Sequence, residues 1–276
     1  MAEIMYELEG VTKVFGSGDV ALAGASFSIG RGEHVAFIGP SGAGKTTLFR
    51  VMNLTLRPTA GTLNILGVDA ARRTGPALRG LRRRIGTVYQ HHNLVGWLRV
   101  VHNVLAGHLG RWSTAKALLS LGWPQDVPSA VAALTGVGLP DKLYARTDTL
   151  SGGQQQRVAI ARVLVQDPDV ILADEPVSSV DPSLAESLVR LLVDLSRAGG
   201  KTLLMNLHSV DLAVGFFPRV IGIREGRLFF DLAPEKVSAR LLGDLYAGRG
   251  SEADRQPVYE RALSVAHACR PLPTPK

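Results

Sequence analysis

Apolar and polar positions alternate at Met5-Tyr6-Glu7-Leu8 and again over residues 25–29, the period-two pattern of half-buried strands, and Gly30-Arg31-Gly32-Glu33 supplies a turn. The pattern then changes. His34-Val35-Ala36-Phe37-Ile38 is a continuous apolar run that ends in a glycine-rich turn, and a helical stretch follows from Lys45 to Asn53. Strand, glycine loop and helix open a βαβ unit. Residues 85–89 and 170–173 are further short apolar runs, and residues 202–207 form a fourth after an amphipathic helix over 184–197. Continuous apolar strands alternating with helices predict a parallel sheet covered on both faces. The strand pattern is lost between Gln90 and Gln166, where residues 94–105, 115–121, 130–134 and 154–165 read as helices separated by Gly and Pro. A helical block inserted into an α/β domain accounts for this. Residues 220–224 and 227–231, joined by Glu225-Gly226, predict a hairpin. From Gly248 the chain turns polar, proline-bearing and aperiodic, so residues 248–276 are expected to form a flexible tail.

Composition narrows the class. The chain has 276 residues, 46% hydrophobic and 20% charged, which excludes wholesale disorder. Aromatic residues make up only 6%, so Leu, Val and Ala carry most of the burial. The single cysteine, Cys269, excludes an intrachain disulfide and a cysteine-based zinc site. No apolar run is long enough to span a bilayer, and the first residues lack the charged and apolar regions of a secretory signal, so a cytoplasmic protein is expected. The net charge of +7 admits anionic partners such as nucleotides, nucleic acid or membrane headgroups. Six arginines fall between Arg72 and Arg84 (Arg72, Arg73, Arg79, Arg82, Arg83, Arg84), a run first read as a solvated face or loop.

The sharpest chemical signal is Gly39-Pro40-Ser41-Gly42-Ala43-Gly44-Lys45-Thr46, which matches G-x-x-x-x-G-K-[ST] between a strand and a helix. Glycines let backbone N–H groups converge on a polyphosphate, Lys45 adds a cation, Thr46 offers a hydroxyl to Mg²⁺, and the helix directs its positive end at the same anion. A metal ligand is then needed at the end of a neighbouring strand. Residues 170–173 run into Asp174, suited to Mg²⁺, and Glu175, suited to polarise an attacking water. Leu150-Ser151-Gly152-Gly153-Gln154 is a third element, with Ser151 and Gln154 forming a capping box at a helix start. Two glycines there bare the helix N-terminus to an anion. The phosphate loop already has its own helix end, so a second exposed anion site suggests the nucleotide of another copy.

Taken in order, these three motifs resemble the ATP-binding subunits of ABC transporters over roughly residues 3–245. The resemblance implies a P-loop ATPase core with an N-terminal antiparallel β subdomain (3–89 and 166–247) and an inserted helical subdomain (90–165). It further implies a homodimer that encloses two ATP with Mg²⁺, each P-loop facing Ser151 and Gly153 of the other copy. Thr47 follows the P-loop on the nucleotide side. Gln90 resembles the residue that senses Mg²⁺ and the γ-phosphate and links the sheet to the helical block, His208 the histidine that contacts the γ-phosphate, and Asp181 the aspartate at the dimer contact. Val180 departs from the leucine usual before that aspartate. Phe15 stands where an aromatic stacks on adenine, with core packing as the rival reading.

Residues 90–121, including Gln90-His91-His92-Asn93-Leu94-Val95 and Leu109-Gly110-Arg111-Trp112, are similar to phosphonate-importer ATPases, although Trp97 departs from the polar residue expected there. The implied partners are an integral membrane permease and, indirectly, an extracytoplasmic binding protein, with no nucleic acid and a peripheral location on the cytoplasmic face of the inner membrane. Phosphite and other phosphorus oxyanions are close rivals as cargo, and amino acids more distant ones. A soluble ABC-type ATPase of a multienzyme or nucleic-acid assembly remains open. A P-loop kinase or GTPase has no use for residues 150–154, and a guanine-reading Asn-Lys-x-Asp run is missing.

Overall fold

The computed structural model describes residues 3–247 apart from 91, 92 and 179; the tail expected from Gly248 and Cys269 within it lie outside the described residues. Two long strands come first, β1 (Ile4–Val14) and β2 (Val20–Gly30), then β3 (His34–Ile38) and α1 (Lys45–Met52). β4 (Ala60–Ile65), the two-residue β5 (Val68–Asp69), α2 (Gly75–Arg83) and β6 (Ile85–Tyr89) follow. The chain is then helical, with α3 (Val100–Leu105), a 3₁₀ turn (Ala106–Gly110), α4 (Thr114–Gly122), α5 (Val127–Gly136) and α6 (Gly152–Gln166). It closes with β7 (Val170–Asp174), α7 (Pro182–Ala198), β8 (Thr202–Asn206), α8 (Val210–Phe216), the hairpin β9 (Arg219–Arg224) and β10 (Arg227–Leu232), and α9 (Ala239–Tyr246).

Two sheets result: an antiparallel one in the order β2-β1-β4-β5, and a six-stranded one in the order β10-β9-β3-β8-β7-β6. All neighbours in the second pair in parallel except the β9–β10 hairpin. Its strands are apolar throughout because both faces are covered. In β3, Ala36 and Ile38 join the core shared with α3, α6 and α7, whereas Val35 and Phe37 join the core shared with α1 and the antiparallel sheet. Phe37 packs between Phe27 and Phe49, with ring centroids 5.7 and 5.3 Å away. Each such side chain, fully buried, stabilises the fold by about 1.5–3 kcal/mol before entropy is counted. The buried Tyr6 donates from its hydroxyl to Met52 O at 3.0 Å, which ties the antiparallel sheet to α1.

The P-loop ATPase fold with its antiparallel sheet and helical insertion matches the sequence reading. One predicted helix does not. Residues 94–99 are irregular, and helix begins only at Val100. Asn93 takes a positive φ of 49°, and the buried Asn103 side chain accepts from Val95 N (2.8 Å) and donates to Val95 O (2.9 Å). That side chain replaces the backbone partners a helix would supply. Part of the arginine run is helical: Arg79, Arg82 and Arg83 lie in α2, of which only Leu81 is buried, while Arg72 and Arg73 precede it and Arg84 caps its end.

Within the helical block, the 3₁₀ turn is fastened to α6 at Gly107. A Cβ there would lie 2.3 Å from Arg162 O and 2.8 Å from Gln166 N of α6. Gly107→Ala is therefore expected to destabilise the protein by about 1–3 kcal/mol, read as a lowered midpoint in thermal unfolding; an unchanged midpoint would show that this approach is not fixed.

Candidate functional site

Five parallel strands end at one edge of the larger sheet, and the chemistry-bearing residues gather there. From β3 the chain passes through the loop 39–44 into α1. Gly39 has φ 151°, and a Cβ on it would stand 2.0 Å from Ile223 O; Gly44 has φ 98°, with Ala21 O at 2.3 Å from such a Cβ. Only glycine fits either position, because the loop is backed by β9 on one side and β2 on the other. Gly226 N donates to Ala43 O at 2.9 Å and fixes the loop to the hairpin. Pro40, Ser41 and Gly42 form the rim, and Thr47 continues α1 behind Thr46.

Lys45 is buried and donates from Nζ to Gly39 O (2.6 Å) and Pro40 O (3.1 Å), so its ammonium lies across the loop. Burial pulls its pKa below the usual lysine value, and Glu175 and Asp174 oppose that shift. Asp174, at the end of β7, accepts from Asn206 Nδ2 at 2.7 Å and from Thr46 Oγ1 at 3.5 Å. Burial raises its pKa above the ordinary aspartate value, while the Asn206 and Thr46 bonds and Arg50 hold it down.

Glu175 follows with a positive φ of 52°, a backbone cost of order 1–3 kcal/mol. Its N–H donates to Asn206 O at 3.2 Å, and its Oε1 lies 2.8 Å from His208 Nε2. The strained turn aims a carboxylate past the strand end, toward the histidine two residues beyond β8.

Lys45, Thr46, Asp174, Glu175 and His208 thus share one edge. Gln90 is exposed one residue past β6, on the strand that pairs with β7. Ser151, Gly153 and Gln154 stand elsewhere, at the start of α6 in the helical block. The capping box there is complete: Ser151 Oγ accepts from Gln154 N, and Gln154 Oε1 accepts from Ser151 N. Among the described residues no hydrogen bond joins them to the 39–47 loop. Asp181 caps α7, accepting from Leu184 N at 3.0 Å. Phe15 opens the turn between β1 and β2 and is exposed, under the Lys13 ammonium 5.5 Å from its ring centroid, rather than packed in a core.

Asn206 was missed by sequence reasoning. It is fully buried and belongs to no recognised motif; its only signal is the strand register that sets it opposite Asp174. Asn206→Ala is expected to lower ATPase activity about tenfold and raise the Mg²⁺ requirement, while metal-free nucleotide binding stays unchanged; full activity at ordinary Mg²⁺ would remove it as the residue that positions Asp174.

The arrangement fits a nucleoside triphosphate with a hard divalent cation. A loop with no room for a Cβ at Gly39 or Gly44 offers N–H groups and a buried ammonium suited to phosphates. The adjacent Thr46 hydroxyl and Asp174 carboxylate form an all-oxygen pair suited to Mg²⁺, which takes few protein ligands beside phosphates and water.

Comparison with known proteins points the same way. Residues 22–178 match a family model described as ABC transporter. The chain is 48% identical over 263 residues to phosphonates import ATP-binding protein PhnC 1 of Pseudomonas aeruginosa, covering 95% of this chain and 98% of that protein. It is 49% identical to phosphonates import ATP-binding protein PhnC of Pseudomonas putida, covering 82% and 84%. Among solved structures, the dimeric post-hydrolysis state of the ATP-binding cassette MJ0796, bound to ADP and Pi, aligns with a TM-score of 0.72 at 30% identity, covering 83% of this chain and 99% of that one. A further structure, cbiO1 of Clostridium perfringens, part of the transporter complex cbiONQ, aligns at 0.74 and 26% identity, covering 96% and 98%.

Proposed function

Because the chain belongs to the ABC transporter family, as an ATP-binding subunit whose ATPase activity is coupled to transport, we propose that it powers import of a phosphonate or related phosphorus oxyanion through a separate permease. Near full-length likeness to two proteins named for phosphonate import carries this reading. No described helix is long and apolar enough to cross a membrane, so the path for the solute belongs to another subunit. The working location is the cytoplasmic face of the membrane, with an extracytoplasmic binding protein delivering the solute.

In the mechanism the loop 39–46 and Lys45 bind the triphosphate, and Phe15 stacks on adenine. Thr46 and Asp174 hold Mg²⁺, with Gln90 approaching it from β6; when bound, the ion neutralises charge developing on the transferred phosphoryl group. Two copies close, and Ser151, Gly153 and Gln154 of each bring the N-terminus of α6 to the γ-phosphate held by the other, with Asp181 at the contact between them. Glu175 accepts a proton from the attacking water, and His208, bonded to Glu175, orients that carboxylate and contacts the γ-phosphate. The Gln90 segment carries closure into the helical block, which meets the permease.

Deletion of the gene in its native host, followed by growth on a phosphonate as sole phosphorus source, tests the reading. Growth is expected to fail and to return with the wild-type gene but not with Lys45→Ala. Normal phosphonate uptake, with loss of another solute's uptake, would overturn the assigned cargo.

A further inference from the structure

Surface helices of globular proteins turn their apolar residues inward. Helix α4 does the reverse: of its nine residues only Ser120 is buried, while Leu118, Leu119 and Leu121 are 64%, 59% and 56% exposed. Trp123, just after it, is 75% exposed, and Leu109, shortly before it, 56%. A contiguous apolar face of this kind marks contact with another apolar phase.

Charge identifies that phase. Residues 70–125 contain no Asp or Glu, and they hold the six arginines of the 72–84 run together with Arg99, Arg111 and Lys116. The basic helix and the apolar one belong to a single surface. Gly110, which ends the 3₁₀ turn before α4, lies against Arg83, so that a Cβ on Gly110 would meet Arg83 Cγ at 3.2 Å. Carboxylates bordering this surface engage some of the nearby cations, Asp126 with His108 Nε2 at 3.0 Å, Asp167 with Lys201 at 2.6 Å and Arg111 at 3.8 Å, Asp69 with Arg72 at 3.9 Å and Asp169 with Arg84 at 2.5 Å, and among the described residues Arg79 and Arg83 of α2 pair with no carboxylate. A protein partner presents charges of both signs, whereas an anionic leaflet presents one. Exposed Leu and Trp flanked by Arg and Lys suit the boundary between headgroups and acyl chains.

We propose that the outward face of α4, flanked by the arginines of α2, seats directly on an anionic lipid bilayer surface. The nine-residue helix lies in the headgroup boundary and does not span, and the arginines meet lipid phosphates. The chain thereby holds a membrane contact of its own, separate from any permease.

Vesicle flotation of the isolated full-length chain tests this and requires neither permease nor transported solute. Vesicles of phosphatidylcholine with about 30% phosphatidylglycerol are compared with phosphatidylcholine alone. The chain is expected to float with the anionic vesicles, and to be released by about 0.5 M salt. Leu118→Glu with Leu119→Glu is expected to weaken binding about tenfold or more, as is Arg79→Gln with Arg83→Gln. Both variants should keep the wild-type circular dichroism spectrum and ATPase activity in solution, since these side chains are exposed and lie away from the site. Absence of flotation, or flotation that the double leucine variant leaves unchanged, overturns the proposal. So does binding that is lost only when residues 248–276 are deleted, or a vesicle-free dimer that the leucine substitutions dissolve, since the face would then belong to a second copy.

Discussion

Glu175→Gln is expected to bind ATP as the wild type does and to hydrolyse it about 10²–10⁴-fold more slowly. The substitution keeps the size of the side chain and its place beyond β7, with Glu175 N on Asn206 O, but removes the carboxylate proposed to take the proton from water. The phosphate loop, Lys45 and Asp174 are untouched, so binding persists while turnover stops. His208 loses an ionic partner 2.8 Å away and retains a hydrogen-bonding one. Steady-state phosphate release together with equilibrium binding of a fluorescent ATP analogue separates the two effects. Wild-type hydrolysis in this variant would take the role of base away from Glu175.

Lys45→Ala has its largest effect at the other step. The ammonium is buried and, in the structure, holds Gly39 O and Pro40 O. In the proposed mechanism those donors turn to phosphate oxygens when triphosphate binds, a charge-assisted contact worth about 1.5–3 kcal/mol. Nucleotide affinity is expected to fall about 10–100-fold, since each 1.4 kcal/mol is a factor of ten. The loop itself should persist, because its shape comes from Gly39, Gly44 and the Gly226–Ala43 bond. Titration calorimetry with ATP measures the change, and unaltered affinity would place the phosphate site elsewhere.

Much of this was legible before the fold was known. β3 and β6 coincide with the apolar runs read from sequence, because a strand buried on both faces writes itself as an unbroken hydrophobic stretch. The capping box at Ser151 and Gln154 was legible for a similar reason, being local chemistry within four residues. What stayed hidden depends on contacts distant in sequence. Asn206 reaches Asp174 only through the β7–β8 register, and nothing around it in the chain marks it out. The start of α3 was misplaced because Leu94 and Leu98 keep helical spacing, while the pairing of Asn103 with Val95 cannot be seen from spacing. In α4 the leucine pattern gives the helix but not its orientation, since an amphipathic repeat looks the same whether its apolar face turns toward the protein or away from it. The residues from 151 to 154 stand apart from the phosphate loop within one chain, which is the arrangement expected when the second half of each site comes from another copy.

Sedimentation of the Glu175→Gln protein with Mg²⁺ and saturating ATP addresses that arrangement most directly. The account predicts twice the mass of a single chain, two ATP retained per particle, and reversion to single chains when Ser151→Arg blocks the start of α6. A particle of single-chain mass that nevertheless holds ATP at every protein concentration, with the permease also present, would contradict it.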